Sequence, residues 1–242
     1  MQDLIARIVQ WFHTLGLHIG GDTAAAVGDT ASHAVAGLDM PGLLALAAAL
    51  GWASGFRLYA VTFLVGAMGS AGWLALPTGL HVLQHPAVLA VSGFILVVEF
   101  FADKVPWIDS VWDAVHSVIR IPAGALLAAG VFGADNATMG VAAGLLGGSL
   151  AATSFATKAT ARAAINSSPE PFSNWLASLF EDGLVVGVVW LATQHPVAFG
   201  AALCVALVLS AWLLVVLYKF LRAVLARLRG FFGHAPSTPT GA

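Results

Sequence analysis

From Pro41 to Gly69 the chain carries one charged side chain, Arg57. Runs nearly as apolar occupy 86–104, 137–165, 172–194 and 196–218. About 20 such residues are what a helix needs to cross a ~30 Å hydrocarbon core. Backbone amides in lipid must be bonded within their own segment, so the runs imply helices. A mean hydropathy of +0.89 places the whole chain, and not one segment alone, in the membrane class. The expected fold is an all-α transmembrane bundle of about six spans, filling residues 41–220, with no second, soluble domain.

The ends differ from this middle. Leu4, Ile8, Phe12 and Leu15 share one helical face, which predicts an interfacial amphipathic helix over 2–15. Asp3 before Arg7, a patterned apolar part and no prompt cleavage site argue against a cleaved signal peptide. Residues 20–40 are poor in bulky groups and carry a tandem GDT heptad, so residues 1–40 read as a helix plus a linker. Residues 221–242 form a basic tail whose end is disordered by composition.

Prolines punctuate the middle. The run 43–69 is longer than one crossing needs, so it is tilted, kinked near Gly51 to Gly55, or split into two half-helices. Trp73 is expected at the membrane interface. Pro86 opens a second span to Lys104, and Pro106 ends it. Residues 107–119 then read as a surface helix. Trp107, Ile108, Val111, Trp112, Val115, Val118 and Ile119 form its apolar face, and Asp109, Asp113, His116 and Arg120 its polar edge. Residues 122–133 make a short apolar segment. Spans at 137–165, 172–194 and 196–218 complete the count.

Lys219, Arg222, Arg227 and Arg229 flank the last span and assign it a cytoplasmic end. Six spans then place the N-terminus on the same side, in a bacterial inner membrane. Gln84-His85-Pro86 and Gln194-His195-Pro196 open two spans, a hint of an internal repeat. That count runs 43–69 and 137–165 in opposite directions, which defeats a parallel repeat unless one of them is re-entrant.

Charge is concentrated. Phe94–Arg120 holds six of the 22 formally charged side chains: Glu99, Asp103, Lys104, Asp109, Asp113 and Arg120. Counting ~1.5 Å per residue from the outer face puts Arg57, Glu99, Glu181 and Asp182 at a depth of roughly 18–20 Å. Three helices thus bring charge to one layer. A lone charge there costs ~2.5–3.5 kcal/mol on insertion scales, so pairing or water access is expected. The candidate intramembrane site is Arg57, Glu99, Asp103, Lys158, Glu181 and Asp182, with Arg57 and Glu99 as the expected direct pair. It reads either as a site for an ion, proton or headgroup, or as a structural clamp between helices.

Other features read as structural. Asp109, Asp113 and His116 at i, i+4 and i+7 could hold a divalent metal with Asp103, but carboxylates on a solvated helix face are common, and no metal site is assigned. Lys104 is expected to snorkel to the headgroups, and Lys158 and Arg162 to anchor the inner interface. Gly140, Gly144, Gly148, Ala152 and Ala156 form an i+4 row of small residues, a groove for another helix within the bundle or across a homo-oligomer. Gly183 and Gly187 repeat the device. Cys204, the single cysteine, reads as core packing. No catalytic or cofactor-binding motif appears, so neither an enzyme nor a cofactor is expected, and the formal net charge of −2 argues against nucleic acid.

The stretches ASGFRLYA at 53–60, EFFADKVPWIDSVWD at 99–113 and Arg120-Ile-Pro122-Ala-Gly124 resemble the bacterial membrane-protein family catalogued as domain of unknown function 4126. The resemblance runs from about 43 to about 218 and includes Lys158, Arg162, Asn166, Glu181 and Asp182. It implies a membrane location and a shared site, with no assigned activity.

Three functions are therefore weighed. Transport of a small ion or polar solute predicts a water-accessible cavity reaching Glu99. A scaffold docking through 107–119 predicts a dry, fully paired layer. Lipid-headgroup handling predicts a groove open sideways to the bilayer.

Overall fold

A computed structural model describes residues 39–105, 108–133, 136–165 and 171–232. The expectations for the 2–15 helix, the 20–38 linker, Pro106, Trp107, Asn166 and the tail after Gly233 lie outside these residues. All regular structure among the described residues is helical: α1 (Met40–Ser70), a short 3-10 helix (Thr78–Gln84), α2 (Pro86–Ala102), α3 (Ile108–Gly130), α4 (Ala137–Ile165), α5 (Pro171–Gln194) and α6 (Pro196–Phe232).

Helix α1 is the centre. Its most apolar window is 89% buried, against 6% for that of α6, so α1 is wrapped by protein and α6 lies at the periphery of the bundle. Asp39 caps its start, accepting from the Gly42 amide at 3.0 Å, with Pro41 in the first turn. The helix breaks at Arg57, where φ is −147° and ψ is 81°. The sequence expects a kink near Gly51 to Gly55; the break falls two residues later.

The break is a reversal. Trp52, before Arg57, shares a cavity wall with Gly183, Leu184 and Gly187 of α5. Ala60, Phe63 and Leu64, after Arg57, share another with Asp182, Val185 and Val186 of the same helix. Both arms of α1 therefore extend from Arg57 toward the same end of α5. The 3-10 helix closes the argument. A Cβ on Gly79 would press on the Gly130 carbonyl, and one on Gly66 on the Leu83 carbonyl. The end of the second arm thus returns to the end of the bundle where α3 finishes. Residues 40–56 descend into the protein and residues 58–70 climb back, with Arg57 at the tip.

Glycines allow this density. A Cβ on Gly51 would lie 2.5 Å from the Gly147 Cα, and one on Gly55 only 2.9 Å from the Phe155 amide nitrogen. These contacts set the first arm of α1 parallel to α4, which corrects the opposite directions counted from the sequence. The expected row Gly140, Gly144 and Gly148 packs on Ala125 and Ala129 of α3, inside the chain. Gly183 and Gly187, expected to repeat the device, meet no neighbouring atom within 4 Å and line an open groove.

Among the described residues four helices, α1, α4, α5 and α6, are long and apolar enough to cross a membrane, or five if the 3-10 helix and α2, bent by 66°, count as one, so six spans are not confirmed. The expected surface helix 107–119 and short segment 122–133 are instead one continuous helix, α3, which passes through Pro122. The repeated Gln-His-Pro works as local punctuation. The His85 Nδ1 accepts from the Ala87 amide at 3.2 Å, and Pro86 and Pro196 start their helices, where a missing amide proton costs nothing. Cys204 is exposed on α6, so it packs no core.

Candidate functional site

Every element except α6 and the 3-10 helix brings charge to the tip of α1. Arg57 is wholly buried. Its Nη2 lies 2.6 Å from the Asp103 Oδ2 and donates to the Ser178 hydroxyl at 2.7 Å. Its Nε lies 3.1 Å from the Asp182 Oδ1 and 3.5 Å from the Glu181 Oε2. The expected Arg57–Glu99 pair is therefore replaced. Asp103, one turn beyond Glu99 on the same face, reaches Arg57, and Glu99 turns to Arg120, which bonds it through Nη2.

Arg120 also holds the Asp113 Oδ1 at 2.7 Å. Lys158 sits among four carboxylates: Asp113 at 3.2 Å, Glu181 at 3.4 Å, and Glu99 and Asp103 at 4.0 Å each. Its Nζ donates to the Phe56 carbonyl at 3.2 Å. The break at Arg57 deprives carbonyls just before it of their helical partners. Lys158 thus both pairs with acids and satisfies the backbone where α1 turns. Arg162 grips both Glu181 oxygens at 3.1 Å, a two-pronged geometry suited to guanidinium, and reaches Asp109 and Asp103 at 3.5 Å.

Asp109, Asp113 and Arg120 are buried members of this layer. That corrects their assignment to the wet edge of a surface helix. In lipid the preference inverts, and α3 turns Val111, Val115 and Val118 outward. His116 stays apart: it stacks on Trp112 at 4.1 Å, and its Nδ1 contacts the Trp112 carbonyl at 2.8 Å. Lys158 and Arg162 are 1% and 2% exposed, which excludes the expected role as interfacial anchors. Asn174 and Ser178 also belong to the site, and sequence reasoning missed them because charge alone was counted.

Lys104 sits at the rim, half-buried, with its Nζ 2.8 Å from the centre of the Phe100 ring. Burial draws its ammonium below the usual lysine range, and Arg57 adds to the effect. Asp182 is the other rim member, with 31% of its side chain exposed.

Within the layer five buried carboxylates (Glu99, Asp103, Asp109, Asp113 and Glu181) face four buried cations (Arg57, Arg120, Lys158 and Arg162). The rim pair Asp182 and Lys104 cancels. Among the described residues one negative charge remains in excess. The Glu99 Oε2 and Asp103 Oδ1 are buried and have no hydrogen-bond partner among the described residues. Among those residues no three His, Cys, Asp or Glu side chains converge as metal ligands.

This arrangement can be set beside known proteins. The family model described as "Domain of unknown function (DUF4126)" matches residues 44–216. The chain belongs to the DUF4126 family. The match takes in the whole charged layer and both arms of α1 except its first residues. No curated protein and no solved structure matches the chain.

Proposed function

We propose that this DUF4126 protein transports a small ion or polar solute, coupled to one proton, through the charged layer at the tip of α1. One observation carries the reading: a central helix breaks and reverses inside a buried ion-pair layer that, among the described residues, is one positive charge short. Irregular backbone at membrane depth is tolerated where protein buries it or a pathway runs, and broken helices form the sites of many transporters. A clamp built only for stability gains nothing from an unbalanced charge, since each uncompensated buried ion costs several kcal/mol.

Glu99 is wholly buried and lines none of the four cavities described, so the water-accessible cavity expected for transport is not seen at Glu99 in this conformation. Proton coupling suits a closed layer better than passage of a hydrated ion. We place α2 to α6 across a bacterial inner membrane, with α1 entering and leaving on one side. Lys104 beside the layer, and Lys219 and Arg222 at the end of α6, support a cytoplasmic charged end.

The test is reconstitution into liposomes with a trapped pH dye. An imposed pH gradient should collapse faster with protein than without, and Glu99→Gln should remove the difference. Equal decay in empty and protein-containing liposomes, with every counter-ion tried, would refute proton coupling. A second reading, lipid-headgroup handling, is favoured by a different observation: a groove beside Asp182 opens sideways.

A further inference from the structure

The groove lies between the second arm of α1, α2 and α5, and encloses about 450 Å³, within the ~300–1,000 Å³ of small-molecule sites. Its walls are apolar, among them Phe63, Val97, Phe101 and Val186. Val97 and Val186 are each 54% exposed, so the groove is open on the side that faces lipid. One polar residue lines it, Asp182. Arg57 holds one of its oxygens from behind at 3.1 Å, while 31% of the side chain remains exposed. Lys104 stands at the same end, its ammonium over the ring of Phe100, another wall residue.

An anion and a cation therefore flank the end of the groove nearest the charged layer, and apolar wall runs from there toward the middle of the bundle. We propose that this groove binds a zwitterionic aminophospholipid of the leaflet at the charged end. The acyl chain lies along Phe63 and Val97, the phosphate meets Lys104, and the primary ammonium meets Asp182. Charge complementarity selects this class. Phosphatidylglycerol offers Asp182 hydroxyl donors but no cation, and a quaternary ammonium cannot donate a hydrogen bond to it. A carboxylate opening toward hydrocarbon calls for such a partner, because charged groups there are otherwise costly.

The experiment reads bound lipid and not flux, so it stands independently of the transport reading. Purified protein in detergent is given equal phosphatidylethanolamine, phosphatidylcholine and phosphatidylglycerol, and retained lipid is counted by native mass spectrometry. One charge-assisted hydrogen bond to Asp182 should give at least a ~10-fold preference for phosphatidylethanolamine. Asp182→Asn should erase that preference. Equal retention of all three lipids, or a preference that survives Asp182→Asn, overturns the assignment. Should Asp182→Asn fail to fold, Val97→Trp fills the groove from its open side. It should shed the bound phosphatidylethanolamine, and unchanged retention overturns the site. Glycerophosphoethanolamine, the headgroup without chains, should not compete, and competition at equal concentration overturns a lipid as the occupant.

Discussion

Arg57 is the residue on which the layer converges, and its partners decide what a substitution does. It contacts Asp103, Asp182 and Glu181 directly, and Glu99 only through the layer. Removing one partner of a buried pair leaves the other uncompensated, typically ~3–5 kcal/mol. Arg57→Met and Asp103→Asn should therefore each lower thermal stability by that order, and the double variant should lose less than the sum. Arg57→Met with Glu99→Gln should couple more weakly, because the two belong to one layer but make no direct contact. Thermal unfolding in detergent of the two cycles checks this, and stronger coupling to Glu99 than to Asp103 would contradict the observed pairing. Depth counting along the sequence found Arg57, Glu99, Glu181 and Asp182 because charge in an apolar run stands out. It could not choose between Glu99 and Asp103. Both lie on one face of one helix end, and only the direction of the approaching Arg57 selects.

At the scale of elements, α3 and α1 each show why part of the fold was hidden. A stripe of Asp109, Asp113 and Arg120 opposite Val111, Val115 and Val118 has the same period whether the polar side meets water or the interior. Periodicity gives the stripe and not its direction, so the helix reads as interfacial until α4 supplies Lys158 and Arg162 to pair with it. In α1 the long apolar run reads equally as a tilted, a kinked or a split span, since a reversal at a single residue leaves no proline and no polar loop to decide among them. The trace it does leave is small residues. Gly51 and Gly55 bring the descending arm against α4 at backbone contact. Gly55→Ala should therefore destabilise by ~1–3 kcal/mol, as overpacking does, because its Cβ meets fixed backbone. Gly144→Ala should be neutral or gain up to ~1 kcal/mol of helix propensity, since its Cβ would stand 3.4 Å from the Ala125 carbonyl, ordinary contact. Equal effects of the two substitutions on thermal stability would show that the tight contact with α4 is not what orders the arm.

The whole molecule follows from the reversal. A spanning α1 would carry the chain to the far side of the membrane by Ser70. In the topology proposed above, a re-entrant α1 returns it to the side where Met40 lies, and α2 to α6 then take it across five times. Residues 40–219 would then start at one end of the bundle and leave it at the other, where the six-span count places both ends of the chain together. The cost of a re-entrant arm is a backbone break deep in the protein, and the layer meets it: Lys158 takes the Phe56 carbonyl, and Asp103, Asp182 and Ser178 hold Arg57. Architecture and site are thus one construction, and topology tests both. In a chain whose Cys204 is replaced by Ala, single cysteines at Met40, Ala71 and Lys219 report sidedness to a membrane-impermeant maleimide. Met40→Cys and Ala71→Cys should be labelled from the same side, and Lys219→Cys only from the other. If Met40→Cys and Ala71→Cys were labelled from opposite sides, α1 would cross the membrane. The charged layer would then lie along a continuous span, and the broken-helix basis for transport would fall with it.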